Sequence, residues 1–247
     1  MSTPLWEGWD EAFHYSYIQN LAETRSLPVF GKSTLSNEIT TSFELAPLSY
    51  GTNLSLDGKY TTFEQYWKLP PVERRRREEA LRSIPNNERE NVPSGSAQLQ
   101  NYEAHQAPLY YLLAAPVYTL FSSYDVPTRA FVLRLFSLLI GSLTIPNAFA
   151  TVRYSGTRRH AKIIPLLLVL LPLLYPTIAR IANDSLAVPL FSALVLLVVR
   201  YCARAAPGAT VKDAIAIGVV LGFGLLTKAS ERAVKFAEKS LKPPCQF

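Results

Sequence analysis

The sequence is poor in cysteine, methionine and histidine, with two, one and three of them among 247 residues. Two cysteines, Cys202 and Cys245, cannot build a disulfide framework, and they say nothing about redox compartment. The opening stretch from Met1 to Asp10 lacks the charged start and apolar core of a signal peptide, and it leaves no room for a spanning helix before Asp10. A phosphate loop is also missing: Gly31-Lys32-Ser33-Thr34 has the right ending, but Ser26 stands where the first glycine is needed and no strand precedes it. That excludes a nucleotide site of this type. No aromatic-basic motif accompanies the positive charge, so no nucleic-acid partner is expected.

The most informative scarcity is of charge. Residues 163–179 and 186–199 carry none, and each run approaches the roughly 20 residues that cross a bilayer once its flanks are counted. Together they read as a spanning hairpin. Its tip, Arg180-Ile-Ala-Asn183-Asp184-Ser185, places a cation, a carboxamide and a carboxylate at one membrane face. Ionisable groups there cost a few kcal/mol unless paired or wetted, which leaves a ligand cavity and a helix-ending Arg-Asp pair both open.

The mean hydropathy of +0.10 averages two unlike halves. Residues 1–107 hold 14 acidic against 10 basic side chains, whereas residues 108–247 hold 5 against 15 and nearly all the apolar runs. A polar lobe thus precedes a membrane region, and the basic balance fits membrane flanks.

Along the lobe, Phe13, Tyr17, Ile18 and Leu21 form the apolar stripe of a helix over 10–26, with Asp10 and Glu11 in its first turn. Residues 29–70 show no sustained period and read as mostly loop. From Pro71 to Ile84 the spacing predicts a short charged helix, supported by Glu73 with Arg77 and Glu78 with Arg82. Residues 85–95 read as loop. The tyrosine-rich segment 108–123 is too short to span and reads as an interfacial helix. Residues 130–150 are long enough to cross, with Arg134 near one end, and the glycine-rich run 214–226 supplies a further span ending at Thr227-Lys228. The fold class expected is therefore an all-α membrane protein with about four transmembrane helices between residues 128 and 230, an external loop region with short interfacial helices, and a charged tail over 231–247. Basic residues between the spans, Arg153 to Lys162 and Arg200 to Lys212, assign those loops to the cytoplasm. Residues 1–107, the hairpin tip and Lys228 then share the external face.

On that face lie Asp10-Glu11-x-x-His14, Tyr102-Glu103-x-His105-Gln106, Arg180-x-x-Asn183-Asp184 and Lys228. A carboxylate at a membrane surface can act as general base toward a hydroxyl, and cations such as Lys228, Arg180 or Arg134 can hold a lipid-linked phosphate as it leaves. Bland roles compete with these: helix-start anions for Asp10 and Glu11, interface histidines for His14 and His105, and a snorkelling end residue for Lys228.

The sequence resembles the GT-C class of polyprenyl-phosphate-dependent glycosyltransferases, which includes protein O-mannosyltransferases and the lipid A aminoarabinose transferase. The pieces that carry the resemblance are Trp9-Asp-Glu-Ala-Phe-His-Tyr15, Tyr102-Glu-Ala-His-Gln-Ala-Pro-Leu-Tyr-Tyr111, Arg134-Leu-Phe-Ser-Leu-Leu-Ile-Gly141, Asn183-Asp184 and Gly222-Phe-Gly-Leu-Leu-Thr-Lys228. The resemblance implies sugar transfer from a polyprenyl-phosphate donor at the external face of a bacterial inner membrane, with membrane lipid and the lipid-linked sugar as partners. It implies that Asp10 is the catalytic or acceptor-positioning carboxylate with Glu11 beside it, and that Tyr102 and His105 contact the lipid phosphate. Asn183 and Asp184 would face the same cavity, with Lys228 near the donor phosphate. Some members use a divalent metal and others do not, so a metal role for Asp10 or Asp184 is open and no cofactor is assigned. Family members continue as spanning helices on both sides of these motifs, which implies a chain truncated at both ends, an inactive fragment being one reading. The rival class is a non-enzymatic membrane protein whose external lobe binds a partner or lipid. A small transporter is a weaker third, because polar residues cluster at span ends and not at mid-membrane.

Overall fold

The computed structural model describes residues 4–86, 99–154, 163–204 and 210–228. The description is helical, with only two isolated β-bridges, Thr34 with Gln100 and Leu48 with Thr62. Cys245 and the charged tail lie outside the described residues, as do most of the residues expected to form the basic loops.

The polar lobe contains α1 (Glu11–Thr24), α2 (Asn37–Leu45), α3 (Tyr50–Ser55), α4 (Phe63–Lys68) and α5 (Pro71–Arg82). Helices α1 and α5 stand close to where the apolar stripe and the charge spacing put them. The expectation of loop over 29–70 is corrected: α2, α3 and α4 occupy much of it. Local side chains start two of these short helices. Ser49 accepts from Thr52 N to cap α3, and Thr62 with Gln65 makes a capping box on α4. Helix α2 is held by packing, with Ile39 and Phe43 wholly buried and the Phe43 ring beside Phe13 of α1.

A 3₁₀ turn (Tyr102–His105) leads into α6 (Leu109–Leu120). The tyrosines of α6 correct their sequence reading, for they face the lobe core. Tyr110, Tyr111 and Tyr118 are wholly buried, and the Tyr111 ring stacks on Tyr17 with centroids 3.7 Å apart. Only the opposite face, with Leu112, Leu113 and Leu120, is exposed.

Next come α7 (Val126–Gly141) and α8 (Thr144–Tyr154), which together form one apolar stretch from Val126 to Tyr154. Asp125 caps α7 by accepting from Thr128 N, and Pro127 occupies the first turn where no N–H is missed. The α7 start is tied to the lobe by Arg129, whose fully buried guanidinium pairs with Glu38 at 2.9 Å and donates to the Tyr118 hydroxyl and to Asn86.

The first half of the expected hairpin is interrupted. Residues 163–179 form two short helices, α9 (Ile163–Val169) and α10 (Leu174–Ile178), with the break over 170–173. Pro172 lies in that break. It has no N–H for the helical ladder, its ring clashes with the carbonyl four residues back, and it biases Leu171 away from helix. The second half is one long helix, α11 (Asp184–Arg204), followed by α12 (Val211–Thr227), which opens with a Thr210/Asp213 capping box.

Among the described residues two helical stretches are long and apolar enough to cross a membrane, Val126–Tyr154 and Asp184–Ala203, where the sequence predicts about four. Only 17% and 11% of their apolar windows are buried within the chain, whereas the core helix of a water-soluble protein would be mostly buried. Phe131, Leu135 and Leu139 on α7 point outward, and Ala130, Leu133, Ser137 and Gly141 point in.

The small residue at the end of that inner stripe permits a close contact. A Cβ at Gly141 would clash with Ile178 Cβ, so α10 lies directly on the α7 backbone there. Gly141→Ala is expected to push α10 off α7 at an overpacking cost of about 1–3 kcal/mol, seen as a lowered unfolding midpoint of the detergent-purified protein. An unchanged midpoint would show that the contact yields freely.

Candidate functional site

Helix α1 begins at an unusual residue. Asp10 has φ 58°, in the left-handed region, and its side chain makes no cap bond to the helix it precedes. An aspartate at this position ordinarily spends an oxygen on a first-turn N–H. Here the carboxylate accepts from the Tyr102 hydroxyl instead, which disfavours the helix-anion role. The backbone conformation costs about 1 kcal/mol or more, strain of the kind that collects at functional sites. The 3₁₀ turn carrying Tyr102 is fixed to α1 by Asn101, which donates to Phe13 O at 3.1 Å and accepts from Glu103 N at 3.0 Å.

Glu11 is buried and its carboxylate is fully used. One oxygen accepts from Arg134 Nε at 2.8 Å and Ile181 N at 3.1 Å, and the other from Arg134 Nη2 at 2.5 Å and Gly8 N at 3.3 Å. Four donors on two oxygens leave no lone pair for a proton from a substrate. Glu11 and Arg134 thus tie the start of α1 to α7 and to the chain between α10 and α11. Gly8 makes room for this junction, since a Cβ on it would stand 2.9 Å from Arg180 Cβ.

The tip between α10 and α11 meets the end of α12. Asp184 pairs with Arg180 at 2.6 Å and with Lys228 through its other oxygen. Asn183 donates to Thr227 O at 3.1 Å and to Gln106 Oε1 at 3.0 Å, so the α12 end, the tip and the 3₁₀ turn are joined by one side chain. Tyr17 OH reaches Gln106 O from α1 at 3.3 Å.

His14 lies inside this junction, hydrogen-bonded through Nδ1 to Tyr111 OH at 2.8 Å. Burial first, then the positive charges of Arg180 and Lys228, lower its pKa to about 3 against the opposing pull of Asp184. It is a neutral ring at physiological pH and cannot serve as a counter-cation. His105 is exposed, with Nδ1 against Tyr102 O and its ring edge-on to Phe30. Glu103 lies between these groups with 9% of its side chain exposed, and its Oε2 is 4.0 Å from His14 Nδ1. Desolvation raises its pKa, and the negative charge of Asp10 adds to the shift.

A cleft of about 330 Å³ opens alongside, lined by Glu7, Gly8, Glu11, Arg134, Tyr175 and Arg180 among others. Arg180 belongs both to this cleft and to the Asp184 cluster. Among the described residues no three His, Cys, Asp or Glu side chains converge as a metal-ligand set, so no side chain is assigned to a metal.

All ten residues singled out from the sequence, Asp10, Glu11, His14, Tyr102, His105, Arg134, Arg180, Asn183, Asp184 and Lys228, lie in one connected region. The motif spacing gives no role to Gln106, Thr227 or Tyr111, which join the pieces, and leaves Glu103 without one.

A family model described as dolichyl-phosphate-mannose-protein mannosyltransferase matches residues 105–237. The chain belongs to this family. It is a glycosyltransferase-like membrane protein, with two helical stretches able to span. The family match contains Arg134, Arg180, Asn183, Asp184 and Lys228 and begins at His105, so Asp10 and Glu11 enter the site through their bonds to Tyr102, Arg134 and Ile181. It ends a few residues into the charged segment that the sequence reading sets apart at Glu231. No curated protein and no solved structure matches the chain.

Proposed function

We propose that the protein transfers a sugar from a polyprenyl-phosphate donor to an acceptor hydroxyl at the external face of a bacterial inner membrane. The single observation that carries this reading is the shared junction: a carboxylate held by a tyrosine, and two cations gathered on one aspartate, meet around a neutral buried histidine. The family uses polyprenyl-phosphate-linked sugars, which gives the cations their ligand.

In this reading Asp10 takes the proton of the acceptor hydroxyl as its oxygen attacks the anomeric carbon, while Tyr102 orients the carboxylate from its other side. The bond from that carbon to the phosphate oxygen breaks, and the electron pair leaves with the lipid phosphate. Lys228 and Arg180 neutralise the charge that develops there. Before the donor binds, Asp184 satisfies both cations, so the phosphate competes with a carboxylate for them. Glu11 and Arg134 hold the floor of the site in place. The orientation rests on the basic residues of 153–162 and 200–212, which the sidedness of charge assigns to the cytoplasm.

Lys228→Ala is expected to weaken binding of polyprenyl monophosphate to the detergent-purified protein by roughly ten- to a hundredfold, the value of one charge-assisted hydrogen bond. Titration of wild type and variant with a fluorescent polyprenyl phosphate measures it. Equal affinities would remove Lys228 from the phosphate site.

A further inference from the structure

Glu103 is a buried carboxyl of the junction that the transfer scheme does not use. One of its oxygens is hydrogen-bonded by the Gln106 side chain, whereas Oε2 is buried and has no hydrogen-bond partner. An ionised carboxylate placed here would need two or three donors, and one is supplied. A protonated carboxyl needs only an acceptor for its hydrogen. His14 Nδ1, the nearby ring nitrogen, is 4.0 Å away and already engaged by Tyr111 OH, so no such acceptor lies among the described residues.

The charges facing Glu103 point the same way. Asp10 and His14 approach from α1, the Tyr111 phenol from α6, His105 from its own turn, and Lys228 from the end of α12. Asp10 already receives a hydrogen bond from Tyr102, as an anion would. A second anion beside it would repel a phosphate and would itself be short of donors. Carboxyl pairs whose surroundings separate them in this way divide into one acid and one base.

We infer that Glu103 works as a neutral carboxylic acid whose Oε2 hydroxyl donates a hydrogen bond to an anionic oxygen of the bound lipid phosphate. This rests on the donor class proposed above. It adds to that reading a requirement for a proton on Glu103 and therefore a sign for the pH dependence. Because burial raises the folded pKa, the binding-competent protonated form is full at low pH and is lost as pH rises through that raised value.

The test is binding of polyprenyl monophosphate by wild type and Glu103→Gln from acid to alkaline pH, with infrared difference spectra of the same two proteins. Glutamine keeps the shape and a donor but cannot ionise. Wild-type affinity is expected to fall by up to about tenfold per pH unit above the Glu103 transition, and Glu103→Gln is expected to bind with a profile lacking that fall. The difference spectrum is expected to hold a protonated-carboxyl band below the Glu103 transition that is absent above it. Identical profiles for the two proteins, or loss of binding in a folded Glu103→Gln, would overturn the role of Glu103 and leave the transfer reading standing. If the wild type bound no polyprenyl phosphate at any pH, the donor reading and the partner given to Glu103 would both fall. A missing carboxyl band would refute the neutral acid whatever the ligand.

Discussion

Asp10→Asn is expected to lower sugar transfer by about 10²–10⁴-fold, the usual contribution of a positioned general base, with little change in unfolding midpoint. Asparagine is nearly isosteric and can still accept from Tyr102, so the loss would report proton removal and not shape. The half-buried carboxylate takes no part in capping α1, and its removal therefore leaves the helix start intact. Comparing variant and wild type in transfer from a polyprenyl-phosphate sugar, alongside donor binding, separates the effects. Donor affinity should hold while turnover falls. Undiminished turnover would take Asp10 out of the chemistry.

Glu11→Ala is expected to be the most destabilising change in the junction, by about 3–5 kcal/mol, because it leaves the largely buried Arg134 guanidinium without its counter-charge. The Ile181 and Gly8 amides lose their acceptor in the same step. Arg134→Met should cost a similar amount by stranding the Glu11 carboxylate. The double variant Glu11→Leu, Arg134→Met should cost less than the sum of the two, since an apolar pair removes both charges together. Thermal unfolding of the four proteins in one detergent measures the cycle. Additive losses would mean that the pair is not coupled, and a stable but inactive Glu11→Ala would move Glu11 from the scaffold to the chemistry.

How far the sequence could be read depended on the length over which each signal acts. The boundaries of α1 and α5 follow from stripes and charge pairs within a few turns. Helix α11 follows from an unbroken apolar run. Helices α2 to α4 escaped because each is only a turn or two long and is fixed by caps and by burial of single residues such as Ile39, Phe43 and Tyr66. The run 163–179 was misread as continuous because hydropathy counts leucines and overlooks what Pro172 does to the backbone. The tyrosines of α6 suit a membrane interface and a polar-edged core equally well by composition. Only the packing against Tyr17 and Tyr15 places them in the core.

At the site, the sequence motifs were enough to name Asp10, Asp184 and Lys228, which the structure joins through Tyr102, Gln106 and Asn183. Chemistry within the site was less legible. Glu11 looks equivalent to Asp10 in sequence, yet its partner lies 123 residues away. Nothing local distinguishes a saturated carboxylate from a reactive one. The same holds for Glu103, whose Oε2 is buried without a hydrogen-bond partner.

The shared junction is tested most directly by photo-crosslinking with a diazirine-bearing polyprenyl phosphate, followed by peptide mapping. Labelling of peptides containing Tyr102–Gln106, Arg180–Asp184 and Lys228 together, competed away by unlabelled polyprenyl phosphate, is the expected result. Labelling that never reaches all three, or that spreads over the exposed faces of α11 and α12 without competition, would contradict a single lipid-phosphate site.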